Sequence, residues 1–207
     1  MFTLLVLLLF KQFTMSNKAL QGERKRRYFI EATKEILKGE GSKALSVRNI
    51  AERAGYSYAT LYNYFKDQTE LVSLSLLDFK DECRDSINTH IRQSKPGKEE
   101  IRSIVMGYVQ YFVQYPGVFD LFYIEKLASK SVCDEVNNFL DDLCAADWDY
   151  LIQEEDYDTK QVSEMRLCLT NAVIGLLISY LKRNTPSDYR TFITNVEVVI
   201  GSVLVLK

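Results

Sequence analysis

The chain has 207 residues, of which 47% are hydrophobic and 26% charged, a composition typical of globular proteins and unlike that of a disordered chain. Its three prolines and nine glycines are too few for the many turns of a β-sandwich or barrel, so long helices are expected. Four cysteines without a C-x-x-C spacing argue against a disulfide scaffold and indicate a reducing compartment. A single histidine, His90, excludes most zinc-hydrolase and Ser-His-Asp sites.

The net charge of −2 conceals an uneven distribution of charge along the chain. Residues 1–67 carry 12 Lys and Arg against 6 Asp and Glu, a net charge of +6. Residues 68–207 carry 14 Lys and Arg against 22 Asp and Glu, a net charge of −8. A basic first third followed by an acidic remainder predicts that one end of the protein binds a polyanion.

The first fourteen residues differ in composition from the rest. Residues 1–10 (MFTLLVLLLF) are apolar apart from Thr3, but they are about half as long as the ~20 residues that a membrane-spanning helix needs. A secretory signal would carry a cation before the apolar run, whereas here Lys11 follows it. Three interpretations remain open: a start codon assigned too early, with Met15 as the natural start; an apolar arm that packs on the body; or a membrane anchor.

Hydrophobic periodicity predicts several helices in the basic third of the chain. A first helix is expected over residues 23–38, with an apolar stripe made of Tyr28, Phe29, Ala32, Ile36 and Leu37. Ser46 is an expected N-cap for a short second helix, and Ser57 for a third helix over residues 58–65. A long helix is expected to begin at Asp67.

The remainder of the chain is also predicted to be helical. Further helices are expected over residues 98–115, 118–129, 132–153, 160–183 and 188–206. Residues 196–206 (VEVVIGSVLVL) are rich in β-branched side chains and alone would favour a strand. Because their apolar positions keep helical spacing and no partner strand is predicted, a helix is favoured there.

Residues 46–66 carry the strongest motif, two short helices that share a three-residue turn (SVRNIAERA-GYS-YATLYNYFK). In a helix-turn-helix, the first helix packs across the second, and the second enters the DNA major groove. Ala51 is small enough for the helix crossing, and Gly55 permits a turn with positive φ. A second helix over residues 58–65 would be about 12 Å long, which suits a groove about 12 Å wide.

This region resembles the TetR family of one-component bacterial transcription regulators. The matching residues are Ile50, Ala51, Ala54, Gly55, Ser57, Thr60, Leu61, Tyr62, Tyr64, Phe65, Lys66, Glu70 and Leu71. Tyr56 stands where the family prefers valine, Ala59 stands where it prefers glycine, and Lys66 matches the family's lysine only loosely. The motif resemblance extends from Arg26 to Leu77, and beyond it only the helical layout is similar.

The resemblance implies that this domain binds double-stranded DNA. Leu61 and Phe65, four residues apart, are expected to face the core and to leave the neighbouring side chains outward. The candidate DNA-binding residues are Arg26, Arg27, Ser46, Arg48, Ser57, Tyr58, Ala59, Thr60, Tyr62, Asn63, Tyr64 and Lys66. Three alternatives stay open: the motif is a protein interface, the basic run 24–27 is a solvated face, and Tyr62 and Tyr64 are partly buried.

The acidic remainder is interpreted as a ligand-binding and dimerisation domain. Seven aromatic residues crowd into residues 108–123, and cavities with apolar walls and a few polar tips are typical of small-molecule sites. The family resemblance implies an effector cavity among the middle helices. The candidate ligand-binding residues are Phe79, Cys83, Tyr108, Phe112, Phe122, Trp148, Met165 and Asn171. The alternative is that the aromatic residues are plain core.

The last two predicted helices, over residues 160–183 and 188–206, are the expected dimer pair. The first of them is apolar on two sides, which indicates burial on two sides. Small residues would let helices approach closely: Gly175, Ser179, Gly201 and Ser202. A two-fold four-helix bundle satisfies both patterns, and the family resemblance implies the same. The alternative is a monomer with an internal helix pair.

The sequence therefore predicts an all-α protein with an apolar leader (1–14), a three-helix helix-turn-helix DNA-binding domain (15–67), and a helical effector and dimerisation domain (68–207). As a cytoplasmic homodimer it would bind a palindromic operator, repress transcription, and leave the DNA when an unidentified small molecule binds. No enzyme, cofactor or metal motif is found, and no membrane partner is expected. The alternative is a nucleoid-associated or division-linked interaction protein of the same fold that needs no effector.

Overall fold

The structure, a computed structural model, describes residues 17–91 and 94–205, with side chains for residues 19–89 and 94–205. Within these residues the regular structure consists of α-helices and one 3-10 helix, with no strand, so the all-α prediction is confirmed. The predicted leader, the side chain of His90 and the end of the last predicted helix at Leu206 lie outside the described residues.

The helices follow one another with short connections. In chain order they are α1 (Asn17–Gly39), a 3-10 helix (Ser42–Ala44), α2 (Val47–Arg53), α3 (Tyr58–Leu61), α4 (Gln68–Ile91), α5 (Lys98–Gln114), α6 (Pro116–Tyr123), α7 (Lys130–Asn137), α8 (Phe139–Leu143), α9 (Ala145–Glu154), α10 (Thr159–Arg183) and α11 (Tyr189–Leu204).

The prediction of one helix over residues 132–153 is wrong, because α7, α8 and α9 occupy this stretch as three short helices. The chain leaves helical geometry at Asn138 (φ −94°, ψ 2°) and at Cys144 (φ −93°, ψ 4°). Asparagine favours such breaks because its side chain competes for backbone hydrogen bonds. The predicted helix over residues 118–129 is also shorter than expected, since α6 ends at Tyr123.

The final helix was predicted against local strand propensity, and α11 confirms that prediction. Val196, Ile200 and Val203 are buried, and α11 packs along α10. The N-cap is Asp188, whose carboxylate accepts a hydrogen bond from the Thr191 backbone N–H at 2.8 Å. Tertiary packing and capping therefore outweigh the preference of β-branched residues for strands.

The chain divides into two compact units, the first ending at Ser75 and the second beginning at Leu76. The division falls within α4, whereas the proposed domain boundary lies at residue 67, just before that helix. The core of the first unit consists of Phe29, Ile30, Ala32, Ile36, Ile50, Ala51, Leu61, Phe65 and Leu71. Tyr28, assigned to the inward stripe of the first helix, is instead 53% exposed.

In the second unit, the N-terminus of α5 is tied to α9. The Gly97 backbone N–H donates a hydrogen bond to the Asp147 carboxylate at 2.8 Å, and Asp147 is buried. Gly97 has φ +89°, and an added Cβ would lie 3.1 Å from the Tyr150 ring and 3.3 Å from Leu151. Only glycine meets both the backbone conformation and the close approach of α9 here.

The helix Thr159–Arg183 (α10) is the one described helix long and apolar enough to cross a membrane by length and composition, a test that core helices also pass. Only 28% of its most apolar stretch is buried within the chain. Its buried residues form a single stripe: Val162, Met165, Leu169, Val173 and Leu177. Of the second predicted apolar side, Leu177 is buried and Ile174, Ile178 and Leu181 are half-buried within the single chain.

Candidate nucleic-acid interface

The two helices of the motif begin at the predicted N-caps. The Ser46 hydroxyl accepts a hydrogen bond from the Asn49 backbone N–H at 3.1 Å, and the Ser57 hydroxyl accepts one from the Thr60 N–H at 3.2 Å. Gly55 lies between them with φ +77°. The turn is closed by the Tyr56 N–H, which donates to the Ala51 carbonyl at 2.9 Å. Side-chain caps and one glycine thus fix the helix-turn-helix locally.

The second helix of the motif is shorter than predicted, because α3 ends at Leu61 rather than at residue 65. The Asn63 N–H donates to the Thr60 carbonyl at 3.1 Å, and the Tyr64 N–H donates to the Leu61 carbonyl at 2.9 Å. After Leu61, these hydrogen bonds between residues three apart form tight turns in place of a regular helix. The regular helix is therefore shorter than the predicted length of about 12 Å. We call residues 58–65 the recognition segment.

The recognition segment turns its two predicted core residues inward and exposes most of the others. Leu61 and Phe65 are 0% and 2% exposed, as predicted. The exposed side chains are those of Tyr58, Ala59, Tyr62 and Asn63. Thr60 is half-buried, and its hydroxyl lies 2.9 Å from that of Ser57. A hydroxyl, an amide and two phenols on one short surface are groups that contact bases and phosphates.

Tyr64 is placed differently from its neighbours, because its side chain packs on the core of the first unit. Its ring centroid lies 6.2 Å from that of Phe29, and the side chain is half-buried. The prediction that Tyr64 points outward is therefore wrong, and the alternative of partial burial describes it better.

Arg26 and Arg27 of the basic run contact their own domain. The Arg26 guanidinium donates to the Tyr64 carbonyl at 3.0 Å and lies 4.8 Å from the Phe65 ring centroid. Arg27 forms an ion pair with Glu31 at 2.6 Å. Two other candidate cations, those of Arg48 and Lys66, are exposed. The structure therefore separates candidates that support the fold from candidates that face solvent.

Seven of the eight candidate ligand-binding residues are buried in the second unit: Phe79, Cys83, Tyr108, Phe112, Phe122, Trp148 and Met165. Asn171 is the exception, since it is exposed on α10 and its amide donates to the Leu167 carbonyl at 2.8 Å. Asn171 therefore does not share the buried environment of the other seven. At about 100° per residue, it lies about 120° around α10 from the buried Met165.

Several of these residues belong to a packed group of rings, here called the aromatic cluster: Tyr108, Phe112, Phe119, Phe122, Tyr123 and Phe139. The Phe112 centroid lies 4.8 Å from that of Tyr108, 5.5 Å from that of Phe119 and 5.2 Å from that of Phe122. The Tyr108 and Tyr123 hydroxyls form a hydrogen bond with each other. These edge-to-face contacts are typical of a filled core.

Two hydroxyls of the aromatic cluster and two neighbouring thiols are neutral. Burial raises the pKa of the Tyr108 and Tyr123 hydroxyls and of the Cys83 and Cys144 thiols, so all four remain protonated at neutral pH. Trp148 Nε1 is buried without a hydrogen-bond partner among the described residues. A molecule admitted here would meet weak hydrogen-bond donors and no charge from these groups.

Two cavities lie elsewhere in the second unit. One of about 510 Å³ is lined by Ser94, Glu99, Arg102, Ser103, Met106, Gly107 and Gln110. Another of about 420 Å³ contains Asn171 together with Asn137, Asn138, Asp141, Ser163, Arg166, Leu167 and Thr170. Both are open to solvent, and neither is lined by the seven buried candidates.

The outer faces of α10 and α11 carry the predicted close-approach glycines. A Cβ added at Gly175 or Gly201 would meet no atom within 4 Å. Exposed apolar side chains lie on the same two helices, with Leu167 66% and Val198 60% exposed. Side chains larger than glycine therefore fit both sites within a single chain.

Comparisons with known proteins agree with this geometry. Residues 29–73 match the family described as bacterial regulatory proteins, tetR family. Among curated relatives, the HTH-type transcriptional regulator PksA of Bacillus subtilis is 29% identical over 92 residues, 44% of this chain and 45% of PksA. The HTH-type transcriptional regulator BetI of Escherichia coli is 30% identical over 78 residues, 38% of this chain and 40% of BetI.

The chain thus spans less than half the length of the curated relatives that it matches. A solved structure extends the similarity of fold: the transcriptional regulator FadR from Bacillus subtilis, in complex with stearoyl-CoA, has a TM-score of 0.69 at 13% identity, covering 86% of this chain and 97% of FadR. Residues 29–73, which match the tetR family of bacterial regulatory proteins, contain the capped helix-turn-helix, and the fold of the chain is similar to that of the solved regulator FadR.

Proposed function

We propose that this protein is a homodimeric, cytoplasmic, non-enzymatic regulator that binds a palindromic operator through the recognition segment and represses transcription. The observation that carries the proposal is the exposure of Tyr58, Ala59, Tyr62 and Asn63 on a turn whose back is fixed by Leu61 and Phe65. A short, rigidly held polar surface is what base reading in the major groove requires.

The proposed roles within the recognition segment differ between neighbouring residues. Thr60 offers a methyl group to a thymine methyl and a hydroxyl that donates or accepts, so it is assigned to base reading. The phenol of Tyr62 lies one turn further along and is assigned to a phosphate. Arg48 and Lys66, both exposed, are assigned to phosphates as well.

The experiment is selection of bound duplexes from a randomised pool with the full chain, followed by affinity measurements over a range of salt. Affinity is expected to fall by about 0.9 log units per log unit of salt for each phosphate neutralised. Thr60→Ala is expected to cost about 1–3 kcal/mol on the selected duplex and to change the preferred base, whereas the exposed Thr89→Ala changes neither. A flat salt response, or no selected duplex, would reject DNA binding.

The exposed apolar face of α10 and α11 supports the proposed dimer. Leu167, Val198 and Val205 are 66%, 60% and 75% exposed. Monomeric proteins rarely leave large contiguous apolar surface in water, and a second copy of the same two helices would cover it as a four-helix bundle. A dimer also sets the spacing of two operator half-sites.

An effector is proposed to act through the second unit, as stearoyl-CoA bound to FadR suggests by analogy of fold. Because the aromatic cluster is closed, an effector that binds there would favour a conformation in which the rings separate. Its binding would shift the population between DNA-competent and DNA-incompetent states.

The closed aromatic cluster also favours a second candidate, an interaction protein of the same fold that needs no effector. Such a protein would use its dimer on DNA as a scaffold. Release of a bound duplex by a small molecule from a metabolite library would support the repressor. A protein partner that stays bound at high salt, with no small molecule releasing the DNA, would support the scaffold.

A further inference from the structure

Two side chains of α1, those of Lys25 and Tyr28, lie beside the residue that leads into α3. The Tyr28 ring is stacked on the Tyr56 ring, with centroids 6.3 Å apart and an interplanar angle of 26°. Lys25 Nζ lies 5.9 Å from the centroid of the same Tyr56 ring. Tyr56 directly precedes Ser57, the N-cap of α3. Both side chains therefore lie against the ring of Tyr56, two residues before the recognition segment begins.

Tyr56 is held firmly from the core side. Its ring centroid lies 5.4 Å from that of the buried Phe29, and its backbone N–H is bonded to the Ala51 carbonyl at 2.9 Å. A valine, which the sequence motif prefers at this position, has no ring on which Tyr28 could stack. The stack is thus a feature of this chain rather than of the motif.

The outer ring of the stack is available to a partner. Tyr28 is 53% exposed, and its hydroxyl has no hydrogen-bond partner among the residues that the structure describes. A phenol held by its ring presents its hydroxyl with little conformational freedom left to lose. Such a hydroxyl, next to a lysine ammonium, suits the phosphate oxygens of a nucleic acid backbone.

The neighbouring arginines are engaged in ways that Lys25 is not. Arg26 bonds the Tyr64 carbonyl and lies over Phe65, and Arg27 pairs with Glu31 at 2.6 Å. Lys25 Nζ lies near the Tyr56 ring and forms no ion pair with the residues that the structure describes. Within residues 25–27, Lys25 is therefore the cation best placed for a phosphate.

We propose that Lys25 and Tyr28, positioned by Tyr56, bind phosphates of the operator duplex beside the bases that the recognition segment reads. The inference rests on the proposed DNA-binding function and assigns the contact of the first helix to Lys25 and Tyr28 instead of Arg26 and Arg27. Tyr56 acts as a positioning residue, because its ring supports both side chains.

Fluorescence anisotropy with the full chain and a selected duplex tests the assignment. Lys25→Met is expected to reduce the salt slope by about 0.9 and to weaken operator and scrambled duplexes alike. Tyr28→Phe keeps the stack and removes one hydrogen bond, so affinity is expected to fall about five-fold. Tyr56→Val removes the ring that supports both side chains, so it is expected to weaken binding at least as much as Tyr28→Phe. Adding Tyr28→Phe to Tyr56→Val is expected to cost less than Tyr28→Phe alone, because the hydroxyl is then no longer positioned.

The matched control is Lys130→Met, which removes an exposed lysine of the second unit and is expected to change neither affinity nor salt slope. Thermal melting of each variant by circular dichroism verifies the fold. Native affinity and native salt slope in both Lys25→Met and Tyr28→Phe, on a duplex that Thr60→Ala binds weakly, would overturn the inference and leave the proposed function standing. If the native chain selects no duplex, both are rejected.

Discussion

The recognition segment and the aromatic cluster use the same side chains in opposite ways. In the recognition segment, the rings of Tyr58 and Tyr62 are 58% and 52% exposed. In the aromatic cluster, Tyr108 is fully buried and its hydroxyl is bonded to that of Tyr123. A short turn on the surface leaves phenols free for a large partner, whereas a helix enclosed by other helices uses them for packing. The first region is ready to bind as it stands, and the second would have to open.

The largest effect is expected from a substitution that tests whether the aromatic cluster is core. Phe112→Ala removes a ring in contact with Tyr108, Phe119 and Phe122, and is expected to lower the free energy of unfolding by about 3–5 kcal/mol. Urea denaturation measures it. Tyr58→Ala, at an exposed ring of the recognition segment, is the control and is expected to stay within about 0.5 kcal/mol. A loss below about 1 kcal/mol in Phe112→Ala would mean that the cluster encloses open space.

A second test asks whether the exposed face of α10 in the second unit binds a partner, as the recognition segment is proposed to do. The partner there would be a second copy of the chain. Gly175→Leu places a large side chain where a single chain has open space, so the fold is expected to persist. In a dimer the same side chain would overpack the helix interface and cost about 1–3 kcal/mol of association. Light scattering measures the mass in solution.

The control for this test is Lys160→Leu, at a side chain that is 83% exposed near the start of the same helix. It adds apolar surface away from the glycine and is expected to leave the dimer intact. If the native protein is monomeric at micromolar concentration, the proposed dimer through α10 and α11 is rejected.

A smaller effect is expected from a substitution that distinguishes phosphate contacts from base contacts within the recognition segment. Tyr62→Phe deletes only a hydroxyl, and we expect a loss of about 1 kcal/mol that is equal on selected and scrambled duplexes. Binding-site selection with the variant measures any change in preference. If Tyr62→Phe shifts the preferred base and Thr60→Ala does not, the roles assigned to the two residues are reversed.

The smallest effect concerns the pH dependence of the closed second unit. Burial raises the pKa of Asp147 despite the hydrogen bond from Gly97, and burial and the charge of Asp147 raise that of Glu100. A carboxyl with a raised pKa binds its proton more tightly when folded, so its contribution to stability is present at acid pH and is lost as pH rises through that pKa.

Asp147→Asn keeps an acceptor for the Gly97 N–H and removes the titration. Unfolding free energies measured from pH 4 upward should therefore fall less steeply with rising pH in the variant than in the native protein. The exposed Asp149→Asn serves as the control. An unchanged slope in Asp147→Asn would show that Asp147 does not contribute to the pH dependence.

The sequence predicts well those features that depend on local rules. Serine caps, a glycine at positive φ and inward residues four apart determine the helix-turn-helix from its own residues, and all are found in the structure. The inward positions of Arg26 and Tyr64 depend on contacts between α1 and the recognition segment, 38 residues apart in the chain, which periodicity does not reveal.

In the second unit, sequence-based prediction is limited for a different reason. Composition identifies aromatic residues as buried, but whether rings fill a space or surround one depends on how several helices pack together. The helix break at Asn138 has a local signal in its asparagine, whereas neither glycine nor proline marks the break at Cys144. Which face of α10 packs on its neighbours likewise decides that Met165 is buried and Asn171 exposed.

The small contribution of α3 to the core has a consequence for how such proteins diverge. Its buried residue is Leu61, while Tyr58 and Ala59 before it and Tyr62 and Asn63 after it face solvent. Substitutions at Tyr58, Ala59, Tyr62 or Asn63 alter what the surface can recognise while leaving the interior unchanged. After gene duplication, a copy could acquire a new binding site through a few tolerated substitutions, and the framework held by Phe29, Tyr56 and Arg26 would remain recognisably the same.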